Sequence, residues 1–291
     1  MALNWAQCIR DEWDVTLGLH SRKVDLPWTR SLPVDLSSAS SFEGVLKQVK
    51  PSLVIHTVAL TDVDRCEREP ELAKYVNATL ARNVAEACYG LGIKLVHIST
   101  DHLFDGTKSF YTELDSVCPL NVYGKTKALA EELVLGACPE SLNIRTNFYG
   151  WGPSYRQSFS DGIIKSLRIK KNKSLSQDVY FSPILAGTLA KVVHELLENG
   201  ELGIFNVVGE ERVSKYEFGL ALARVFNLNS QAIVPVSPSL PQKKVQRPND
   251  MSLSNNKTKK IIKGAIGGIM QHITQLRDFE GTTAFKELVH L

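Results

Sequence analysis

Along the first half of the chain, short runs of β-branched and apolar residues alternate with amphipathic stretches of helical length. Residues 3–13 read as the back half of a helix, and a strand follows at 15–20. The amphipathic stretch 38–49 precedes a buried strand in PSLVIHTVA at 51–59. From Pro70 to Gly90 the apolar residues Ala73, Val76, Leu80, Val84 and Ala87 fall on one helical face. Gly90 and Gly92 close that helix, and 94–99 forms the next strand. A helix over about 119–135 and a strand at 142–146 complete the alternation. Apolar strands separated by helices imply a parallel sheet covered on both faces. Since crossovers are right-handed, an α/β, doubly wound, Rossmann-like sheet is the leading topology.

Beyond residue 150 the pattern loosens. Residues 151–180 are rich in Ser, Lys, Asn and Gly and read as loop plus a short helix. Helices near 183–198 and 214–227 flank a strand at 203–208. The stretch 235–256 holds four prolines among polar residues and reads as an exposed loop crossing a site. A last helix covers roughly 256–275. This divides the chain into a dinucleotide-binding domain over 1–150 and a smaller, mostly helical substrate lobe over 151–291, interleaved with the first.

Composition narrows the function classes. The 291 residues are 43% hydrophobic and 22% charged, which excludes wholesale disorder. A net charge of +3 gives no argument for nucleic acid or an anionic membrane as partner. No apolar run reaches the roughly 18 residues of a membrane-spanning helix, and the first residues fit neither a signal nor a transit peptide. Five scattered cysteines without a CxxC pair read as reduced thiols, hence a cytoplasmic protein. His20, His56, His97 and His102 have no ligand spacing to those cysteines, so no metal site is expected.

The sharpest chemistry is Tyr123-Gly-Lys-Thr-Lys127 at the start of a helix. Positions i and i+4 share a face, so the phenol and the Lys127 ammonium can enter one cleft. A cation there is expected to lower the tyrosine pKa and make it a proton donor near neutral pH. Alone, such a pair is more often a helix start with exposed lysines. Upstream, however, a strand ends in Ser99-Thr100-Asp101, where parallel sheets bind ligands. A hydroxyl there can polarise a substrate carbonyl beside Tyr123, although turn and cap chemistry also explains Ser and Thr.

With VIHTVALTDVDRCEREPELAKYVNA, LVHISTDHLFDG, PLNVYGKTKALAEE and IRTNFYG in this order, the sequence resembles the extended short-chain dehydrogenases. The dTDP-4-dehydrorhamnose reductase-like branch of sugar-nucleotide enzymes is the nearest group. The resemblance covers roughly 15–256, with later echoes in Tyr180 to Pro183, in Gly203 to Gly209, in Ser214 to Phe218 and in Arg247-Pro248. It implies an oxidoreductase that uses NADP(H) or NAD(H) to reduce a keto group on a nucleotide-activated sugar. Thr100 would orient the carbonyl, Tyr123 would protonate the alkoxide, and Lys127 would hold the nicotinamide ribose. Asn77, Ala59 and Ser99 join the cofactor set. Asn147, His102 and Arg247 fall at substrate positions. Arg22 and Lys23 can pair with a 2′-phosphate and favour NADP(H), or form a solvated basic turn. A homodimer is compatible with the sequence, which does not fix the assembly.

Three departures accompany the resemblance. The strand end reads Ile55-His56-Thr57-Val58-Ala59, with His56 and Val58 in place of smaller or more neutral groups; His56 reads as a packed residue. An imidazole, His102, replaces a tyrosine ring against the sugar. Finally, no glycine precedes Gly18, whereas the family opens with a strand and a Gly-rich turn that receives the pyrophosphate. The expectation is a sheet lacking its first strand, with two strand edges exposed. Either the native start lies upstream of Met1 or cofactor binding has been lost. The competing functions are a non-catalytic scaffold or regulatory protein of the same fold and a sugar-nucleotide epimerase. A dehydratase is disfavoured, because Asp101-His102 lacks the acid pair such enzymes carry.

Overall fold

A computed structural model describes residues 1–237 and 245–291. Helix α1 (Ala2–Ile9) leads into β1 (Val15–Leu19), which pairs in parallel with β2 (Thr29–Pro33). Helix α2 (Ala39–Val49) starts where the Ser38 side chain accepts from the Ser41 amide, and ends at Lys50 in the left-handed region. Then come β3 (Leu53–His56), α3 (Val63–Arg68), α4 (Pro70–Lys74) and α5 (Leu80–Gly90). A π-helical turn at Tyr75–Thr79 joins the last two. Strand β4 (Lys94–Ile98), helix α6 (Val122–Ala137) and strand β5 (Leu142–Arg145) follow.

The 151–180 region is less bare than its composition implies. It carries α7 (Phe159–Arg168) and β7 (Lys173–Ser176), between the short β6 (Phe148–Tyr149) and β8 (Tyr180–Phe181). Next are β9 (Ile184–Leu185), α8 (Ala186–Glu198), β10 (Gly203–Asn206), β11 (Val213–Ser214), α9 (Lys215–Val225) and β12 (Ile233–Val236). The expected final helix is broken. Helix α10 (Asn256–Lys259) stops early, Gly267 adopts φ +100°, and α11 (Ile269–Glu280) and α12 (Thr283–Val289) complete the chain.

The main sheet is parallel, in the order β10-β5-β4-β3. Val96, Ile98, Leu142, Ile144 and Phe205 pack on one face with α1 and α8 through Trp5, Leu189 and Val193. Leu95 and Val54 face the other way, towards Phe42 and Leu46 of α2, Val84 of α5 and Val134 of α6. The fold is therefore α/β and Rossmann-like, as the alternation implies. A strand and a helix from beyond residue 150, β10 and α8, belong to this core.

The two-stranded piece β1-β2 is not hydrogen-bonded to the main sheet. A cavity of about 440 Å³ is lined both by 15–18 of β1 and by 53–56 of β3, with Trp5 of α1 and Phe42 of α2 also on its wall. A second core of aromatic residues, including Tyr149, Trp151, Phe181 and Phe218, gathers α7, α9, α11 and α12.

Residues 235–237 are exposed as expected, whereas much of 245–256 differs from the exposed loop expected. Residues 238–244 lie outside the described residues, but Val245, Met251 and Leu253 are buried. The segment is threaded through the protein: the Tyr111 amide donates to Ser252 O and the Ser254 amide to Tyr111 O (2.9 and 2.8 Å). Pairing with a distant backbone satisfies the polar groups of 249–254, so this part does not require solvent.

Candidate active site

The site is built where β4 ends. The Ser99 amide still donates to Ile144 O (2.7 Å), so pairing with β5 continues one residue beyond the strand. Thr100 and Asp101 are then buried in the turn. The Asp101 carboxylate accepts from the Asn147 amide (2.5 Å) and, weakly, from the Thr100 hydroxyl (3.3 Å). Asp101 thus ties the ends of β4 and β5 together.

Helix α6 presents the other half. Asn121 caps it by accepting from the Gly124 amide (3.0 Å) and anchors it by donating to Gln246 O (3.0 Å). Gly124 is obligatory here, since a Cβ would stand 2.4 Å from His102 O. Its absence lets the first turn of the helix seat directly on the loop after β4. Tyr123 is thereby buried near enough to Thr100 for that hydroxyl to act on its pKa, and His102 packs edge-on against its ring with centroids 5.5 Å apart.

The phenol is not activated as expected. Burial pushes the Tyr123 pKa up to about 12; Thr100 opposes this, while Asp101 and Cys66 add to it. The expected lowering by Lys127 is absent: that ammonium does not act on the phenol and is instead engaged by the end of β4. Lys127 Nζ donates to Ile98 O (2.8 Å) and contacts His97 Nε2 (3.1 Å). Burial lowers its pKa to about 8, against the opposing effect of Glu131. His97 is held well below its usual value by burial, by Lys127 and by His56, and His56 is lowered to about 3 by burial and Lys127. Both imidazoles are neutral.

The other candidates divide. Asn77 is spent on architecture: its side chain accepts from the Leu60 amide (2.7 Å) and donates to Leu60 O (3.2 Å) and Thr126 Oγ1 (3.0 Å). It fastens the loop carrying Ala59 to α6. Among the described residues, the Ser99 hydroxyl is buried without a partner. Arg247 pairs with Asp64 (2.8 Å) and is close enough to His102 to lower its pKa. Arg22 is brought to none of these groups; its guanidinium lies 3.9 Å from the ring centre of Tyr155.

Neither the role of Asp101 as the hub nor Lys215 as a site residue follows from the sequence motifs. Lys215 opens α9 with its ammonium 3.2 Å from the ring centre of Phe181. Burial lowers its pKa to about 8, opposed by Asp101, and it acts in turn on His102. The signal available was the Ser214–Glu217 capping box, which fixes the helix start and hence where Lys215 emerges.

A Rossmann-like sheet whose sixth helix sets a tyrosine and a lysine against a threonine at a strand end defines an extended short-chain dehydrogenase/reductase. Within that class the chain belongs to the RmlD substrate binding domain family, which matches residues 13–276. It is 33% identical over 201 residues to the dTDP-4-dehydrorhamnose reductase of Aggregatibacter actinomycetemcomitans, the match covering 65% of this chain and 66% of the relative. The methionine adenosyltransferase 2 subunit beta of Rattus norvegicus is 31% identical, over 77% of this chain and 69% of that one. The crystal structure of dTDP-4-dehydrorhamnose reductase from Bacillus anthracis in complex with NADP superposes with a TM-score of 0.79 at 26% identity, covering 86% and 89% of the two chains. Matches to the first curated reductases span 60 to 66% of those proteins' lengths.

Proposed function

We propose that the protein is an NADP(H)- or NAD(H)-dependent reductase of a keto group on a nucleotide-activated sugar. The observation that carries this reading is the convergence of Thr100 and Tyr123 at the end of β4, over the buried Lys127. The residues fit the nicotinamide–ribose end of such a cofactor. Lys127 has three N–H groups; two are spent on His97 and Ile98, leaving one for a ribose hydroxyl. The unpartnered Ser99 hydroxyl is a second group for that end. For the phosphates, the chain offers Arg22 and Arg156, whose guanidinium donates to Thr61 after β3 (2.9 Å).

A bound nicotinamide supplies the hydride. Thr100 and Tyr123 donate to the carbonyl oxygen and stabilise the charge that develops there. The Tyr123 O–H bond then breaks, and its proton completes the new hydroxyl. A phenol at about 12 is still a stronger acid than the alcohol formed from the alkoxide, so the transfer is favourable without a strong acid. Asn147 and Asp101 fix the loop that carries Thr100. The division into a cofactor domain over 1–150 and a substrate lobe over 151–291 belongs to this proposal, as does a cytoplasmic setting, which suits five unpaired cysteines. No helix among the described residues is long and apolar enough to cross a membrane.

The test is direct. Full-length protein is titrated with NADPH and NADH, and oxidation of the bound cofactor is followed with dTDP-linked 4-keto sugars. Tight binding with turnover supports the reductase. Folded protein that binds no cofactor and turns over no keto sugar rejects it. A second reading, a non-catalytic subunit of another enzyme, is favoured by the relative that is itself named as a subunit. It predicts that second outcome.

A further inference from the structure

Three side chains form an unbroken row beneath the candidate site. Lys127 Nζ lies 3.1 Å from His97 Nε2, and His97 Nδ1 lies 3.0 Å from His56 Nδ1. The two histidines are register partners on β3 and β4, so they stand side by side on the face that α6 covers. All three are almost wholly buried, with Lys127 at 1%, His97 at 0% and His56 at 4% exposure.

Donor and acceptor counting fixes the protons. A charged lysine only donates, so His97 Nε2 must accept and His97 carries its proton on Nδ1. His97 therefore donates to His56 Nδ1, and His56 carries its own proton on Nε2. That atom is buried and has no partner among the described residues, while His56 lines the cavity shared by β1 and β3. The row thus runs from an ammonium to an unpaired N–H at a cavity wall.

We infer that His97 and His56 are positioning residues for Lys127, forming the route by which its buried ammonium exchanges a proton with water in the cavity. In one step Lys127 gives a proton to His97 Nε2, His97 Nδ1 passes its proton to His56 Nδ1, and His56 Nε2 releases its proton to a water oxygen. The products are a neutral amine, two imidazoles of inverted tautomer and a hydronium ion; the reverse step restores the start. No oxidant or co-reactant is needed. The other charged groups near Lys127 are Glu131, next along α6, and its partner Arg145 on β5, while the cavity wall that His56 joins also carries Asp14, Arg30, Lys50 and His194. Glu131 is bonded to Arg145, and among the described residues no hydrogen bond joins it to the row. The inference deepens the proposed reductase, since it sets the charge of the residue assigned to the ribose.

Nitrogen NMR on cofactor-free, full-length protein with ¹⁵N-labelled histidine and ¹³C-labelled lysine tests it. At pH 7 His97 is expected as the Nδ1–H tautomer and His56 as the Nε2–H tautomer. Both should invert with the same midpoint as Lys127 when the pH is raised. His56→Gln, which keeps a polar group but cannot relay, should shift the Lys127 midpoint and, in active protein, alter the pH profile of kcat while leaving KM within about twofold. The opposite tautomers at pH 7, or tautomers that stay fixed while Lys127 titrates, overturn the inference. The measurement on the unaltered protein stands if His56→Gln does not fold. Because it needs no turnover, failure of the reductase reading and failure of the relay are separate results.

Discussion

At Tyr123 the balance of burial against neighbours decides the chemistry. The phenol keeps its proton throughout the physiological range, so it acts as donor and its loss should be felt in turnover. Tyr123→Phe is expected to lower kcat at least ~10²-fold with little change in cofactor affinity, measured by NADPH oxidation and by fluorescence titration. Lys127 makes a different, pH-dependent contribution. It titrates near 8 in the fold and near 10.5 when unfolded. Below 8 both states hold the proton and the fold bears the full cost of the buried charge. Between those values the unfolded chain binds more protons, so stability rises with pH; above 10.5 both states are neutral and the cost is gone. Cys66 and Cys88, raised to about 11 and about 12 by burial, act oppositely above their usual value of 9. Comparing wild type with Lys127→Met by urea unfolding cancels them. The wild type should gain on the variant by up to ~1 kcal/mol per pH unit between pH 8 and 10. A difference flat with pH contradicts this. The Tyr–Lys spacing was legible in the sequence, but the direction of the lysine was not, because nothing in YxxxK records His97 and the Ile98 carbonyl on β4 that receive it.

Among the elements, α6 depends on how closely its first turn meets the loop after β4. Gly124→Ala places a Cβ against His102 O, and neither backbone can yield without moving Tyr123. A loss of about 1–3 kcal/mol is expected, the usual cost of overpacking, together with loss of turnover, measured by thermal unfolding and assay of the same sample. The elements themselves were readable where burial makes long apolar runs: β3, β4, β5 and α6 lie close to their sequence limits, and the single helix expected over 70–90 is divided into α4, the π-helical turn and α5. Strand β2 was missed because Thr29-Arg-Ser-Leu-Pro33 is polar, ends in proline and is exposed at two of its middle positions. Strands β6, β8 and β9 have two residues each, too few for alternation to show. The helix expected at 256–275 failed at Gly264, Gly267 and Gly268, which the apolar pattern of α11 outweighed in the sequence. Lys215 was hidden for the same kind of reason: its importance comes from Phe181 and Asp101, which only folding brings near.

For the whole molecule, cohesion is uneven. Strands β4 and β5 have neighbours on both sides, whereas β1-β2 is bonded only to itself and rests on α1 and on the small cluster of Ala6, Leu17 and Leu26. Hydrogen exchange should therefore release the amides of β1 and β2 well before those of β4 and β5, through local opening that leaves the main sheet intact. Equal protection across both pieces would show that they unfold as one. The sequence made this unevenness partly visible, since it pointed to two exposed strand edges. It did not reveal the volume between them, which depends on where α1 and α2 come to rest.

That volume makes the protein sensitive to a variable other than heat or denaturant. Whatever part of that volume neither side chains nor water fill is space that the folded chain carries and the unfolded chain gives up, so compression favours the opened state. The cavity lies beside β1 and beneath neither β4 nor β5. Hydrostatic pressure should accordingly open the β1-β2 corner while the strands that carry Thr100 and Asn147 remain folded.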